Sequence, residues 1–170
     1  LNWKARGVVA PHPEGGNRMH LAVGLAGNGD LLTFSSGFFV DDEEFTGFAG
    51  QWLSRSSDGG RTWVGDEKPS IPEPCFGAIP FGRVIQLSDG RLAYTCYRSQ
   101  GLGNPSETWI GFSEDDGKSR PKFSTYGEDD SNEPNILEVE PAPLLAAIPT
   151  PGATSVKLCA RKGWGQTGNA

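Results

Sequence analysis

The sequence predicts an all-β fold, namely part of a β-propeller with about two and a half to three blades of antiparallel strands. Its apolar runs are short and are bounded by Gly, Pro, Asn, Asp or Ser, which is typical of strands joined by tight turns. The segment 52–63 also aligns with 109–120 at a constant offset, since 109 − 52 and 115 − 58 both equal 57. A period of this size, with about four strands per unit, indicates propeller blades.

The strands follow from these runs in chain order. Two hairpin signals, Asn28-Gly29-Asp30 and Ser88-Asp89-Gly90, each join two of the runs,. A third, weaker copy of the repeat begins at Asn135. We expect residues 1–149 to form the partial propeller and 150–170 to be a poorly patterned tail. The predicted strands are His20–Val23, Leu31–Ser35, Trp52–Ser56, Arg83–Leu87, Arg91–Tyr97, Trp109–Ser113, Ile136–Val139 and Leu144–Ile148.

Composition excludes several classes of partner. The chain of 170 residues carries a net charge of −6 and no basic cluster, so neither nucleic acid nor a polybasic membrane contact is expected. No apolar run is long enough to span a membrane. The two histidines, His12 and His20, have no companion ligands, so we expect no metal and no cofactor. A Cys75–Cys96 bridge and buried free thiols both remain open, and nothing in the sequence indicates an oligomeric state.

One motif resembles a known family. The segment 56–63 fits S-x-D-x-G-x-T-W at every position. In such a turn the Asp58 carboxylate accepts backbone N–H groups, a glycine permits positive φ, and Trp63 packs beneath the turn. This resembles the Asp-box, or BNR, repeats of sialidases, which implies part of a six-bladed sialidase-like propeller. The second box, 113–120, has Arg120 in place of the tryptophan. The family's boxes are structural and lie away from its active site.

The resemblance extends over about residues 17–148 and implies three site residues. Arg18, in Asn17-Arg18-Met19-His20, matches the first arginine of the family's substrate-binding triad, although His20 replaces a proline. Asp42, with Asp41 second, lies where the family carries its acid/base aspartate. Glu133, before an aliphatic strand, matches the catalytic glutamate. A guanidinium suits the carboxylate of a sialic acid because it donates two parallel charge-assisted hydrogen bonds.

Each of these residues also has a structural interpretation. Arg18 could be a surface or blade-closing arginine, the acids around Asp42 a solvated loop, and Glu133 a solvated acid. Tyr97 and Arg98 follow a strand and could point into a blade-end pocket, although a structural role is the more common one. The sequence leaves these alternatives open.

The function implied by resemblance is that of an exo-acting sialidase, or a related glycoside hydrolase cleaving a terminal sugar. The family's second arginine falls at Pro149 here, and Tyr126 is the last tyrosine, although sialidases use a Tyr nucleophile. We therefore expect little or no activity from this chain alone. The alternative is a non-catalytic propeller that binds carbohydrate or protein. The resemblance favours a secreted or periplasmic location.

Overall fold

A computed structural model describes residues 2–5, 7–42, 44–67, 77–98, 106–119, 122–127, 131–139, 143–149 and 156–161. These residues form eleven β-strands, and none of them lies in a helix, so the all-β prediction is confirmed. None of the described segments is a helix that could cross a membrane. The strands are β1 (His20–Leu25), β2 (Leu31–Asp41), β3 (Glu44–Ser56), β4 (Val64–Glu67), β5 (Ile79–Gln86), β6 (Leu92–Arg98), β7 (Glu107–Ser113), β8 (Lys122–Gly127), β9 (Asn135–Glu138), β10 (Leu144–Pro149) and β11 (Val156–Arg161).

Three of these strands were not predicted. β4 and β8 are outer strands whose sequences, VGDE and KFSTYG, lack a clear apolar run. β11 lies within 150–170, where the sequence suggested a poorly patterned tail, and it pairs with β10 along its whole length. Cys75 and Arg120, both named in the sequence analysis, lie outside the described residues.

The strands form two sheets. The larger has the order β4-β3-β2-β1-β5-β6-β7-β8, and the smaller has the order β11-β10-β9. All neighbouring strands are antiparallel except β1 and β5, which pair in parallel from Ala22↔Gly82 to Gly24↔Val84. The larger sheet is therefore two four-stranded units joined through their first strands. We call β1–β4 the first blade, β5–β8 the second blade and β9–β11 the third blade.

The registers make the first hairpins of the three blades equivalent. These hairpins close on the pairs Leu25↔Leu31, Gln86↔Leu92 and Glu138↔Leu144. The offset between the first and second blades is 86 − 25 = 92 − 31 = 61, and that between the second and third is 138 − 86 = 144 − 92 = 52. The repeat read from the sequence is thus a repeat of strand pairing, including its weaker third copy.

The apolar core lies between the blades. Phe34 of the first blade stacks on Tyr94 of the second with ring centroids 4.2 Å apart, inside a cluster that joins these two blades. A second cluster joins the second blade to the third. In each cluster the facing surfaces of two neighbouring blades cover each other, as expected for units that cannot bury a face alone,. The second cluster comprises Leu87, Ala93, Ile110, Phe112, Ile136, Leu144, Ala146 and Ile148.

Candidate functional site

Strand direction separates the molecule into two ends. β1, β3, β5, β7 and β9 begin at one end, where β2, β6 and β10 finish. We call it the site end, because Arg18 precedes β1, Asp42 follows β2 and Glu133 precedes β9. The opposite end, the turn end, carries the two motif turns after β3 and β7. All three sequence-predicted site residues therefore lie at the end opposite the motif turns.

The first motif turn is held by its own side chains. Oδ1 of Asp58 accepts hydrogen bonds of 2.9 Å from the backbone N–H groups of Arg61 and Thr62, and Oδ2 accepts one of 2.6 Å from the Thr62 hydroxyl. The Ser56 hydroxyl accepts the Gly60 N–H at 2.9 Å. The Thr62 hydroxyl bond, with the backbone donors, lowers the pKa of Asp58 well below its ordinary value,. The prediction that the Asp58 carboxylate accepts backbone N–H groups of the turn is confirmed.

The second motif turn repeats this pattern. Asp115 accepts the N–H groups of Lys118 and Ser119 at 3.1 Å, and Ser113 accepts that of Gly117 at 2.7 Å. Asp116 occupies the place of Gly59, since 116 − 59 = 57, and it has a positive φ of 60°. This turn therefore holds a side chain where the first turn has glycine.

Glu133 lies in a short segment anchored on both sides. The N–H of Ser131 donates to the carbonyl oxygen of Ser106 at 3.1 Å. The hydroxyl of Thr95 donates to the carbonyl oxygen of Pro134 at 2.9 Å. Between these anchors Glu133 is exposed and has a φ of 43°. A non-glycine residue held in the left-handed region is strained, and such strain concentrates at functional sites.

Two side chains from other blades face the Glu133 charge. Tyr97, at the end of β6, is buried, and its pKa rises to about 12 because of burial and, second, because of the Glu133 carboxylate. His20, at the start of β1, has a pKa lowered by burial, which Glu133 partly offsets. The His20 and Tyr97 rings meet edge to face, with centroids 6.2 Å apart. The two rings thus pack together, and the Glu133 charge influences the pKa of both; we call these three residues, one from each blade, the Glu133 cluster.

An aromatic row supports this cluster. The His20 ring packs edge to face on Phe38 at 5.9 Å, and Phe38 packs likewise on Phe48 at 6.0 Å. Phe81 meets Tyr97 at 6.4 Å. Nδ1 of His20 is buried and has no hydrogen-bond partner among the residues that the structure describes. A buried polar atom without a partner is costly.

Arg18 contacts the first blade and the segment before β1. Its guanidinium carbon is 4.2 Å from the centroid of a Trp52 ring, a cation–π distance,, and its Nε donates to the carbonyl oxygen of Pro11 at 2.7 Å. These contacts hold the side chain across the first blade. They fit the blade-closing interpretation of Arg18 and leave its role as a carboxylate ligand a hypothesis.

Asp42 lies at the exposed tip of the β2–β3 hairpin. The last pair before the tip is Asp41↔Glu44, so Asp42 occupies a two-residue connection and has a φ of 44°. Positive φ is ordinary for Asp in such a hairpin, so it implies no special strain here. The hairpin is braced by the segment before β1, since Val40 N–H donates to the Gly15 carbonyl oxygen at 2.9 Å.

The sequence analysis named Glu133 as a candidate site residue, but it did not predict that His20 and Tyr97 lie within reach of its charge. The only local signals were the placement of Tyr97 at a strand end and the replacement of the family's proline by His20. Their convergence depends on blade packing, since 133 − 20 = 113 residues separate Glu133 from His20.

A separate cavity lies between the second and third blades. It has a volume of about 220 Å³ and a mostly apolar wall. The sequence-predicted site residues are not in its wall. Within the described part of the chain, no three His, Cys, Asp or Glu side chains are grouped as metal ligands. The cavity is lined by Ile110, Thr125, Tyr126, Leu144, Ala146, Cys159 and Ala160.

Solved structures share this fold. A protein of unknown function from Dyadobacter fermentans DSM 18053 is 22% identical with a TM-score of 0.70, over 85% of this chain and 47% of its own. The Hadza microbial sialidase Hz136 is 18% identical with a TM-score of 0.71, over 86% and 32%. An endo-arabinase from Bacteroides thetaiotaomicron VPI-5482 is 14% identical with a TM-score of 0.54, over 93% and 60%.

These comparisons establish the fold as part of a sialidase-like propeller, shared with glycoside hydrolases. No protein-family model matches the sequence, and no curated protein matches it. The chain spans 47% and 32% of the first two structures above, and 60% of the third.

Proposed function

We propose that this chain is the part of a sialidase-like glycoside hydrolase that recognises a terminal sugar bearing a carboxylate, such as sialic acid. The observation that carries the proposal is the Glu133 cluster, because the charge of a strained, exposed carboxylate there acts on a buried phenol and a half-buried imidazole from two other blades. A functional site assembled from several strand ends is where such strain and unpaired polar atoms are expected.

The proposed roles follow from side-chain chemistry. Arg18 is the carboxylate ligand, and Asp42 is the acid/base that protonates the departing oxygen. Glu133 is the carboxylate that would act on a tyrosine nucleophile. The pKa of Tyr97 is raised to about 12 by burial and, second, by the Glu133 charge, so its phenol gives up a proton less readily than an ordinary tyrosine. We therefore propose that this chain alone binds sugar without appreciable turnover.

The alternative function is a non-catalytic carbohydrate-binding or protein-interaction scaffold. Its specific support is that the guanidinium of Arg18 is stacked on Trp52, while Asp42 stands at an exposed hairpin tip. Neither residue requires Glu133 for its position. On this interpretation the site end recognises a partner through its surface, and the Glu133 cluster only joins the blades.

Ligand binding and turnover can be measured separately on the purified chain. Saturation-transfer NMR with a sialyl-lactose is expected to give signals from the sialic acid ring, and Arg18→Met is expected to abolish them. Arg61→Met, at the turn end, serves as the matched control and should retain binding. A fluorogenic sialoside should show no turnover above the buffer rate.

Each outcome decides between the functions. Measurable hydrolysis that Glu133→Gln abolishes would overturn the expected inactivity and establish an enzyme. Absence of sialyl-lactose binding by the unsubstituted chain would overturn sugar recognition and favour the protein-interaction scaffold. Sialyl-lactose binding that persists in Arg18→Met would show that Arg18 is not the ligand of the sugar carboxylate.

A further inference from the structure

The two interfaces between blades are filled by different side chains. At the first interface Phe34 and Tyr94 stack with ring centroids 4.2 Å apart, and the Tyr94 hydroxyl lies 3.4 Å from Oε1 of Gln51 on β3. At the second interface Thr95 takes the place of Phe34, because 95 − 34 = 61. Ala146 takes the place of Tyr94, because 146 − 94 = 52. The second interface therefore has no aromatic ring at either of these positions.

The cavity between the second and third blades lies where the ring equivalent to Tyr94 is missing. Tyr94 extends from β6 toward β3, so a ring at position 146 would extend from β10 toward β7. Ala146 and Ile110 of β7 both line the cavity. Ile110 is the equivalent of Leu53, since 110 − 53 = 57, and Leu53 belongs to the core cluster that contains Tyr94. The cavity thus corresponds in position to space that a tyrosine side chain fills at the first interface.

The wall of the cavity is buried on one side and open on the other. Ile110 and Ala146, from β7 and β10, are only 1% and 4% exposed. Thr125 on β8 and Ala160 on β11 are exposed, so the mouth lies between these two strands. None of the described lining residues is acidic or basic, and burial raises the pKa of the Tyr126 phenol. A charged ligand would lose its hydration here without gaining an opposite charge.

We propose that this cavity binds a small, uncharged aromatic molecule, whose ring takes the place of the side chain that is missing at Ala146. A dry apolar cavity of about 150 Å³ binds benzene, whereas drug-sized ligands occupy pockets of about 300–1,000 Å³. The volume of about 220 Å³ therefore suits a single ring with small substituents. Arg18, Asp42 and Glu133 do not line this cavity, so the proposal is independent of the proposed function.

Toluene and benzoate test the proposal on the 170-residue chain, because they share the ring and benzoate adds a negative charge. Toluene is expected to raise the melting temperature increasingly with its concentration, as a ligand of the folded state does. It is also expected to shift the NMR signals of the Ala146 and Ala160 methyl groups, which line the cavity. Benzoate at the same concentrations is expected to produce neither effect.

Variants of β10 locate the bound ring. Ala146→Phe places a ring at the position of Tyr94 and is expected to abolish both effects of toluene. Ala147→Phe is the matched control, because it adds the same ring at the next residue, on the opposite face of the strand, and it should retain them. Ala146→Leu fills less of the cavity and is expected to weaken toluene binding by roughly tenfold or more. The Leu variant decides the question if the Phe variant does not fold.

Three results would overturn the proposal. One is the absence of toluene binding by the unsubstituted chain. Another is toluene binding that neither substitution at Ala146 weakens, or that Ala147→Phe weakens equally, because the ring would then lie outside the cavity. The third is benzoate binding as tight as that of toluene, because the cavity would then not select an uncharged ligand.

Discussion

The backbone N–H of Gly27 donates a hydrogen bond of 2.7 Å to Oδ1 of Asp116, a residue of the next blade. Ser88 occupies the equivalent turn position, since 88 − 27 = 61, and its N–H donates to Oε2 of Glu138 at 2.7 Å. Both junctions between blades are therefore closed at the turn end by a carboxylate from the following blade. The bond to Gly27 explains why position 116 holds an aspartate despite its positive φ, whereas the equivalent position in the first motif turn is Gly59.

The first prediction separates the Asp116 hydrogen bond from its backbone strain. Asp116→Ala loses the bond to Gly27 and keeps the positive φ, so we expect its free energy of unfolding to fall by about 1–2 kcal/mol. Asp116→Gly loses the same bond but adopts this φ freely, and it should be roughly 1 kcal/mol more stable than the Ala variant. Urea unfolding measures both, and equal stabilities would show that the backbone carries no strain.

The second prediction concerns the approach of β1 to β5. A Cβ on Gly24 would clash with the backbone carbonyl oxygen of Val84 in the parallel pair. We expect Gly24→Ala to lower the free energy of unfolding by about 1–3 kcal/mol, as overpacking does. Gly47→Ala is the matched control, because its Cβ would meet only Phe39 at an ordinary 3.7 Å. Equal stability of the two variants would contradict the close approach.

The third prediction is a pH dependence set by Asp58. Because its folded pKa is depressed, mainly by the Thr62 hydroxyl, Asp58 adds stability above the unfolded value of about 3.9 and loses it as pH falls toward the folded value. Asp58→Asn should therefore be less stable at pH 7, with the difference narrowing below about pH 4. Thr62→Val removes the hydroxyl bond, so the stability that Asp58 contributes should be lost at a higher pH than in the unsubstituted protein. Denaturant unfolding across pH 2–7 measures both effects, and a constant difference would contradict them.

The fourth prediction tests the Glu133 cluster. The carboxylate of Glu133 partly offsets the effect of burial on His20, so Glu133→Gln should lower the His20 pKa further. The imidazole proton shifts in an NMR titration report this value, with His12 as the internal reference. Asp42→Asn is the control and should leave the His20 pKa unchanged. An unchanged His20 pKa in Glu133→Gln would mean that the cluster does not form.

Local chemistry made much of the fold predictable. The motif turn at Asp58 depends on residues within four positions of it, so its hydrogen bonds follow from the sequence alone. Strands β4 and β8 were not predicted because they are outer strands, where the apolar alternation that identifies inner strands is weak. β11, VKLCAR, does alternate and was missed because residues 150–170 were interpreted as a tail. β2 continues to Asp41, beyond the predicted end at Ser35, because its pairing with β3 resumes after two irregularities between Ser36 and Val40.

The site was less predictable, for a physical reason. Arg18, Asp42 and Glu133 were named from local resemblance, and their common end follows from strand direction. Which side chains meet there depends on how three blades pack. That packing brings His20 and Tyr97 to Glu133, while it stacks Arg18 on Trp52. Periodicity within one strand contains no information about these contacts.

The parallel β1–β5 pair has a consequence for how the molecule comes apart. This pair makes the first two blades one continuous hydrogen-bonded sheet. If either blade opens, the other loses the hydrogen bonds between β1 and β5. Among the described strands, no ladder ties the third blade to this sheet. Its contacts are side-chain packing and a few single bonds, such as Ser88 to Glu138. Amide protons of β10 should therefore exchange through a partial opening of lower free energy than those of β6, making the third blade the molecule's separately unfolding unit.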